Sequence, residues 1–138
     1  MERFGVATRT RMEMVDVTGK VQEAVRDSGV KDGIVLVHCP HTTAAIVVNE
    51  NADPDVGRDI LATFERLVPR KGDYRHAEGN SQAHVLSSLA GCSVTLPVDG
   101  GMVALGTWQG IFFVEMDGPR NREVWVTVLD AGKGRKDR

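Results

Sequence analysis

The sequence predicts an α+β, β-rich fold: an antiparallel sandwich, jelly-roll-like, with two or three helices on one side. Short β-branched apolar runs recur along the 138 residues, among them Ile34–Val37, Ala44–Val48 and Ile111–Met116. The later runs are separated by Asp99-Gly100-Gly101 and Asp117-Gly118-Pro119, which is hairpin spacing. Helical periodicity is confined to three stretches, and hairpin-rich connections favour an antiparallel sheet or sandwich over a doubly wound fold.

Taken in order, Phe4, Val6, Thr8 and Thr10 share one parity, so an opening strand is expected over Phe4–Asp16. Thr18 offers an N-cap, Val21, Ala24 and Val25 form a short helical stripe, and Gly29 offers a left-handed stop. The runs at 34–37 and 44–48 read as buried strands. Asp53-Pro54 is the strongest helix start, because Asp caps and Pro suits the first helical position. Ile60, Leu61, Phe64, Leu67 and Val68 then make one apolar face that ends before Pro69. Asn80 or Ser81 begins a helix through Val85, Leu86 and Leu89, with Gly91 as its stop. Val94–Val98 and Met102–Leu105 form one expected hairpin, and Ile111–Met116 with Glu123–Leu129 a second. The chain divides into one domain over 1–130 and a basic tail, 131–138, expected to fray.

Seventeen Lys and Arg stand against nineteen Asp and Glu, a formal charge of −2, with 41% hydrophobic and 26% charged residues. These values exclude whole-chain disorder, and a chain of this length buries roughly two-thirds of its unfolded surface. Near-neutral charge argues against a dedicated nucleic-acid binder. The balance hides an asymmetry: Glu50, Asp53, Asp55 and Asp59 outweigh Arg58, whereas Arg120, Arg122, Lys133, Arg135, Lys136 and Arg138 outweigh Glu123, Asp130 and Asp137. Cys39 and Cys92 are too few for a disulfide scaffold or a four-thiolate zinc site and are expected to be reduced. The first ten residues lack an apolar signal core, and no stretch approaches the ~20 apolar residues of a membrane span. A cytoplasmic protein without membrane or nucleic-acid partners is expected.

His41, His76 and His84 can supply the three protein ligands of an open metal site, with Zn favoured over Mg by imidazole donors; against this stands their ordinary use as surface or capping residues. Glu78, two residues after His76, is a proton-transfer candidate. The Pro-Cys-x-x-Cys of zinc deaminases and the His-Glu-x-x-His of zincin peptidases are both absent. Asn49 and Glu50 precede the Asp53 cap and can line a pocket, although the segment lacks the ligand alternation of an EF-hand. Trp108 and Gln109, between Gly106 and Gly110, can meet a ligand or plug the core. Arg120 and Arg122 at i and i+2 share a strand face suited to phosphate, or pair with a neighbour such as Glu115.

These pieces resemble, in this order, the YjbQ-like family, whose members are described as secondary thiamine-phosphate synthase enzymes. The resemblance rests on His41-Thr42-Thr43-Ala44-Ala45-Ile46, Asn49-Glu50-Asn51, Asp53-Pro54-Asp55, Tyr74, His76, Glu78-Gly79-Asn80-Ser81, Ala83-His84, Ser88–Gly91, Leu105–Gln109 and Glu115–Arg122. It implies a compact β-rich homotrimer with a histidine-lined site able to hold a divalent metal. The implied reaction joins a pyrimidine-methyl diphosphate to a thiazole phosphate and expels diphosphate. On this chain His41, His76 and His84 would be metal or catalytic histidines, Glu78 the proton carrier, and Arg120 and Arg122 the phosphate contacts. Asn49, Glu50, Asn80, Ser81, Trp108 and Gln109 are candidates for substrate binding. Two other functions use the same residues: a metal-dependent hydrolase using a metal-bound water, and a trimeric metabolite-binding protein without turnover.

Overall fold

A computed structural model describes residues 1–132. Its elements are β1 (Glu2–Ala7), β2 (Glu13–Asp16), α1 (Thr18–Ser28), β3 (Asp32–His38), β4 (Ala44–Glu50), α2 (Pro54–Leu67), α3 (Ser81–Ala90), β5 (Ser93–Asp99), β6 (Met102–Val103), β7 (Gln109–Glu115) and β8 (Asn121–Asp130). A five-stranded sheet has the order β1-β8-β3-β5-β6, and a three-stranded sheet the order β2-β7-β4. All the strand pairs are antiparallel. Of the expected tail, residues 133–138 lie outside the described residues.

Alternation along the strands decides the layers. Val35, Val37, Val124 and Val126 of the larger sheet meet Ala44, Ile46, Ile111 and Phe113 of the smaller one, and Val21, Ala24 and Val25 of α1 close this core. The opposite parity of the small sheet, Ala45, Phe112 and Val114, packs against Ala83 and Leu86 of α3 and Leu61 and Phe64 of α2. The layers are therefore sheet, sheet and helices. The one-sided helical layer consists of α2 and α3, while α1 belongs to the core between the sheets. No helix among the described residues is long and apolar enough to cross a membrane.

Helix ends follow local chemistry. The Asp53 carboxylate accepts the Asp55 N–H at 2.9 Å, with Pro54 in the first turn of α2. Gly29 ends α1 at φ 72°. Thr18 is not the N-cap of α1: Val17 holds that position, and the Thr18 hydroxyl accepts the Ile111 N–H at 2.8 Å instead.

Two expected strand assignments require correction. The opening segment is two strands in different sheets, β1 on β8 and β2 on β7. Likewise β7 and β8 are not a hairpin: β7 lies between β2 and β4, and β8 between β1 and β3. Both errors have one cause, because residues 8–12 and 117–120 cross together from one sheet to the other. The Thr8 N–H donates to the Arg120 carbonyl at 2.9 Å, and the Gly118 N–H to the Arg11 carbonyl at 3.0 Å. A Cβ at Gly118 would lie 2.3 Å from the Thr10 carbonyl oxygen, so only glycine permits this approach. The Asp-Gly-Pro sequence is a turn, as expected, but one that changes sheets.

Candidate functional site

This double crossover opens a polar cavity of about 430 Å³ beside it. Three segments line it: Pro40–Thr43 between β3 and β4, His76 to His84 leading into α3, and Asp117 to Arg122. His41, His76, Glu78, Asn80, His84, Arg120 and Arg122 all border it.

The His41 Nε2 accepts the Glu123 backbone N–H at 2.9 Å. An imidazole that accepts there carries its single proton on Nδ1. Burial, followed by the charge of Arg122, lowers the His41 pKa from the ordinary 6.5, which favours the same neutral form. The His76 and His84 rings meet edge to face with centroids 5.2 Å apart. The Glu78 carboxylate lies 3.9 Å from the His76 Nε2.

Asp117 organises the other wall. Its carboxylate accepts from the Asn80 Nδ2 at 2.8 Å and from the Arg120 Nη2 at 3.0 Å, while its carbonyl accepts from the Arg120 Nε at 2.8 Å. Arg120 is thereby aimed yet half-exposed. The Asn80 Oδ1 is buried without a hydrogen-bond partner.

Arg122 is differently used. It is 6% exposed and Glu115 is 0% exposed. Its Nε donates to the Glu115 Oε1 at 2.8 Å, its Nη2 to Oε2, and its Nη2 also to the Thr43 hydroxyl at 2.9 Å. The Thr8 hydroxyl donates to Glu115 at 2.7 Å. Burial alone would raise the Glu115 pKa; the hydrogen bonds from Arg122, Thr8 and the Asp117 N–H outweigh it and hold the carboxyl below its usual range. The expected pair of phosphate-facing arginines is therefore one exposed arginine, Arg120, and one arginine that pins the two sheets through Glu115.

Comparison with known proteins places the chain in a family. The sequence model of the family described as UPF0047 protein YjbQ-like matches residues 2–131. The chain belongs to the YjbQ-like UPF0047 family. A UPF0047 protein of Methanocaldococcus jannaschii is 49% identical over 127 residues, 92% of each chain. YugU, a UPF0047 protein of Bacillus subtilis, is 45% identical over 94% of this chain and 98% of its own. A solved YjbQ/UPF0047 family structure from Clostridium acetobutylicum superposes with TM-score 0.92 at 49% identity, over 94% of this chain and 100% of that one. A YbjQ-like protein of unknown function from Sulfolobus solfataricus gives 0.90 at 36%, over 94% and 95%.

The family resemblance implies a metal, and the donors fit it only in part. Two imidazoles on one tetrahedral ion, with Zn–N of ~2.0–2.1 Å, have ring centroids roughly 5 Å apart, a separation that His76 and His84 match at 5.2 Å. His41 does not fit as the third ligand, because Nε2 is engaged by Glu123 and Nδ1 holds the proton. Among the described residues, no group of three His, Cys, Asp or Glu side chains is arranged to hold a metal ion.

Five other residues expected near substrate sit elsewhere, Asn49, Glu50, Trp108 and Gln109 in one cluster and Ser81 apart from them. Glu50 pairs with Gln109, and Asn49 with Gly110, while the Asn51 N–H donates to the Trp108 carbonyl at 3.0 Å. This cluster is at the far end of β4 from Thr43, seven residues or roughly 23 Å away. Glu50 borders a separate cavity of about 360 Å³ floored by Met12, Met14, Leu61 and Phe112. Trp108 is exposed rather than a core plug. Ser81 is buried and borders a cavity with Arg70, Lys71 and His76 instead. Asp117 is the site residue that sequence reasoning missed as such: it read as a turn former, and its long-range partner Asn80 has no sequence signal.

Proposed function

We propose that the chain is a small metal-assisted enzyme acting on a phosphorylated small molecule, joining a pyrimidine-methyl diphosphate to a thiazole phosphate with release of diphosphate. The observation that carries this reading is the meeting of His41, His76, Glu78, Asn80, His84 and Arg120 in one open polar cavity. In the reaction, the thiazole nitrogen bonds to the methylene carbon as the carbon–oxygen bond breaks, and the electron pair leaves on diphosphate. Arg120, braced by Asp117, meets that growing charge with charge-assisted hydrogen bonds. The neutral His41 offers its Nδ1–H as a further donor, and Glu78 carries a proton to the departing diphosphate. The unpartnered Asn80 Oδ1 accepts from an N–H of the substrate. A divalent metal, zinc ahead of magnesium, would be held by His76 and His84 and would add positive charge against the diphosphate.

We also propose a homotrimer in a cytoplasmic setting. Ile34, Leu36 and Leu129, 43%, 38% and 56% exposed, form an apolar strip on the outer face of the larger sheet and support burial against another copy. Two free cysteines are in keeping with a reducing compartment.

Incubation of the purified chain with both phosphorylated substrates, followed by mass spectrometry and a diphosphate assay, tests the reading. The carbon–nitrogen product and diphosphate should appear together, and Arg120→Ala should lower kcat/KM at least about tenfold, the worth of a charge-assisted hydrogen bond. Phosphate release without that product would mean hydrolysis; thermal stabilisation by either substrate with no product would mean a binding protein.

A further inference from the structure

The cysteines sit closer to the site, and to one another, than their separation in sequence suggests. The β3–β5 ladder runs from Asp32 opposite Asp99 to His38 opposite Ser93. It continues one step further, with the Cys39 N–H donating to the Cys92 carbonyl at 2.7 Å. That register sets Cys39 opposite Cys92. Directly opposed residues of an antiparallel pair point to one face with Cα atoms ~4.5–5.5 Å apart, inside the ~4.4–6.8 Å that a disulfide spans. The Cys92 sulfur is close enough to bear on the Cys39 thiol. Both residues border a cavity of about 610 Å³ that shares His41, Thr42 and His84 with the histidine cavity.

We propose that Cys39 and Cys92 form a reversible cross-strand disulfide beside the histidine cavity by exchange with a low-molecular-weight disulfide. Cys39 is 1% exposed and Cys92 is exposed, so the order of events is set by access. The Cys92 thiolate attacks one sulfur of the external disulfide and expels the other as a thiolate. The Cys39 thiolate then attacks the Cys92 sulfur of the mixed disulfide and expels the second external thiolate. Two protein thiols are oxidised, one external disulfide is reduced, and the two protons end on the released thiols. Burial raises the Cys39 pKa, which makes the second step the slower one. The bond ties the turn that bears His41 to the residue just beyond α3, the helix that bears His84. This consequence for catalysis rests on the proposed function; the thiol exchange does not.

The test treats the native full chain with dithionitrobenzoate and follows both released nitrothiobenzoate and protein mass. The wild type should release two equivalents and end about 2 Da lighter with no adduct. Cys39→Ser should release one equivalent and keep its adduct, and Cys92→Ser should release none on the same timescale. A wild-type chain that retains a nitrothiobenzoate adduct, on one cysteine or on both, overturns the proposal whether or not the variants fold. Turnover measured on oxidised and reduced wild type separates the two claims: its absence from both counts against the proposed function and leaves the exchange result standing.

Discussion

Arg122 and Glu115 join the two sheets at a point from which water is excluded, so each depends on the other. Arg122→Ala leaves a buried carboxylate unpaired and should cost about 3–5 kcal/mol in denaturant unfolding. A double change, Arg122→Met with Glu115→Leu, should be more stable than either single variant, because it removes the charge and its partner together. Glu115 is held below its ordinary 4.5, so its stabilisation is full above that value and is lost as pH falls below it and through the lowered pKa. Glu115→Gln should flatten that limb of the stability–pH curve. The linkage for His41 runs in the same sense: the unfolded imidazole takes its proton near 6.5 and the folded one only at lower pH, so stability declines as pH falls below 6.5. Nitrogen NMR of His41 should show an unprotonated Nε2 at pH 6.5, and a midpoint at or above 6.5 would contradict the lowering by burial and by the Arg122 charge. Residue type together with the family resemblance pointed to His41, His76, His84, Glu78, Asn80 and Arg120, which the fold brings to the border of one cavity. Neither could separate Arg120 from Arg122, since the i, i+2 rule gives a shared face only within a regular strand and Arg120 precedes β8.

At the scale of elements, the paired crossovers decide where the site lies. Gly118→Ala would press a methyl group against the Thr10 carbonyl, the Glu115 Cγ and the Thr8 hydroxyl. It should destabilise the chain by about 1–3 kcal/mol and displace Arg120 as well, measured as a lowered Tm with weakened diphosphate binding. Asp117→Ala should act mainly on the site, freeing Asn80 and Arg120, with a smaller loss of stability than Gly118→Ala. Periodicity made α2 legible, because Asp53, Pro54 and the apolar face agree at every level. It failed at 4–16 and 111–129, where apolar parity continues across a change of sheet. Long-range backbone bonds such as Thr8 to Arg120 determine that change, and no local pattern encodes them. The distal cluster at Asn49, Glu50, Trp108 and Gln109 was misjudged for a related reason: β4 carries one end of its sequence to the histidine cavity and the other end far from it.

At the scale of the molecule, the near-zero net charge conceals an acidic stretch from Glu50 to Asp59 and a basic end that begins at Arg120. Of these, Arg120 and Arg122 border the histidine cavity, whereas Glu50 and Asp53 border the separate cavity beside α2. If the outer strip of the larger sheet is a subunit contact, Ile34→Glu with Leu129→Glu should shift the sedimentation mass from trimer to monomer without unfolding the chain. A wild-type mass of one chain, about 15 kDa, would remove that contact from the account. The central claim is that the histidine cavity is where phosphorylated substrate binds. Its most direct test is a titration of the full chain with diphosphate, followed by amide and imidazole NMR. The account predicts shifts at His41, His76, His84 and Arg120 that saturate together and that Arg120→Ala weakens at least about tenfold. Shifts confined to Glu50, Trp108 and Gln109, with the three histidines unmoved, would contradict it.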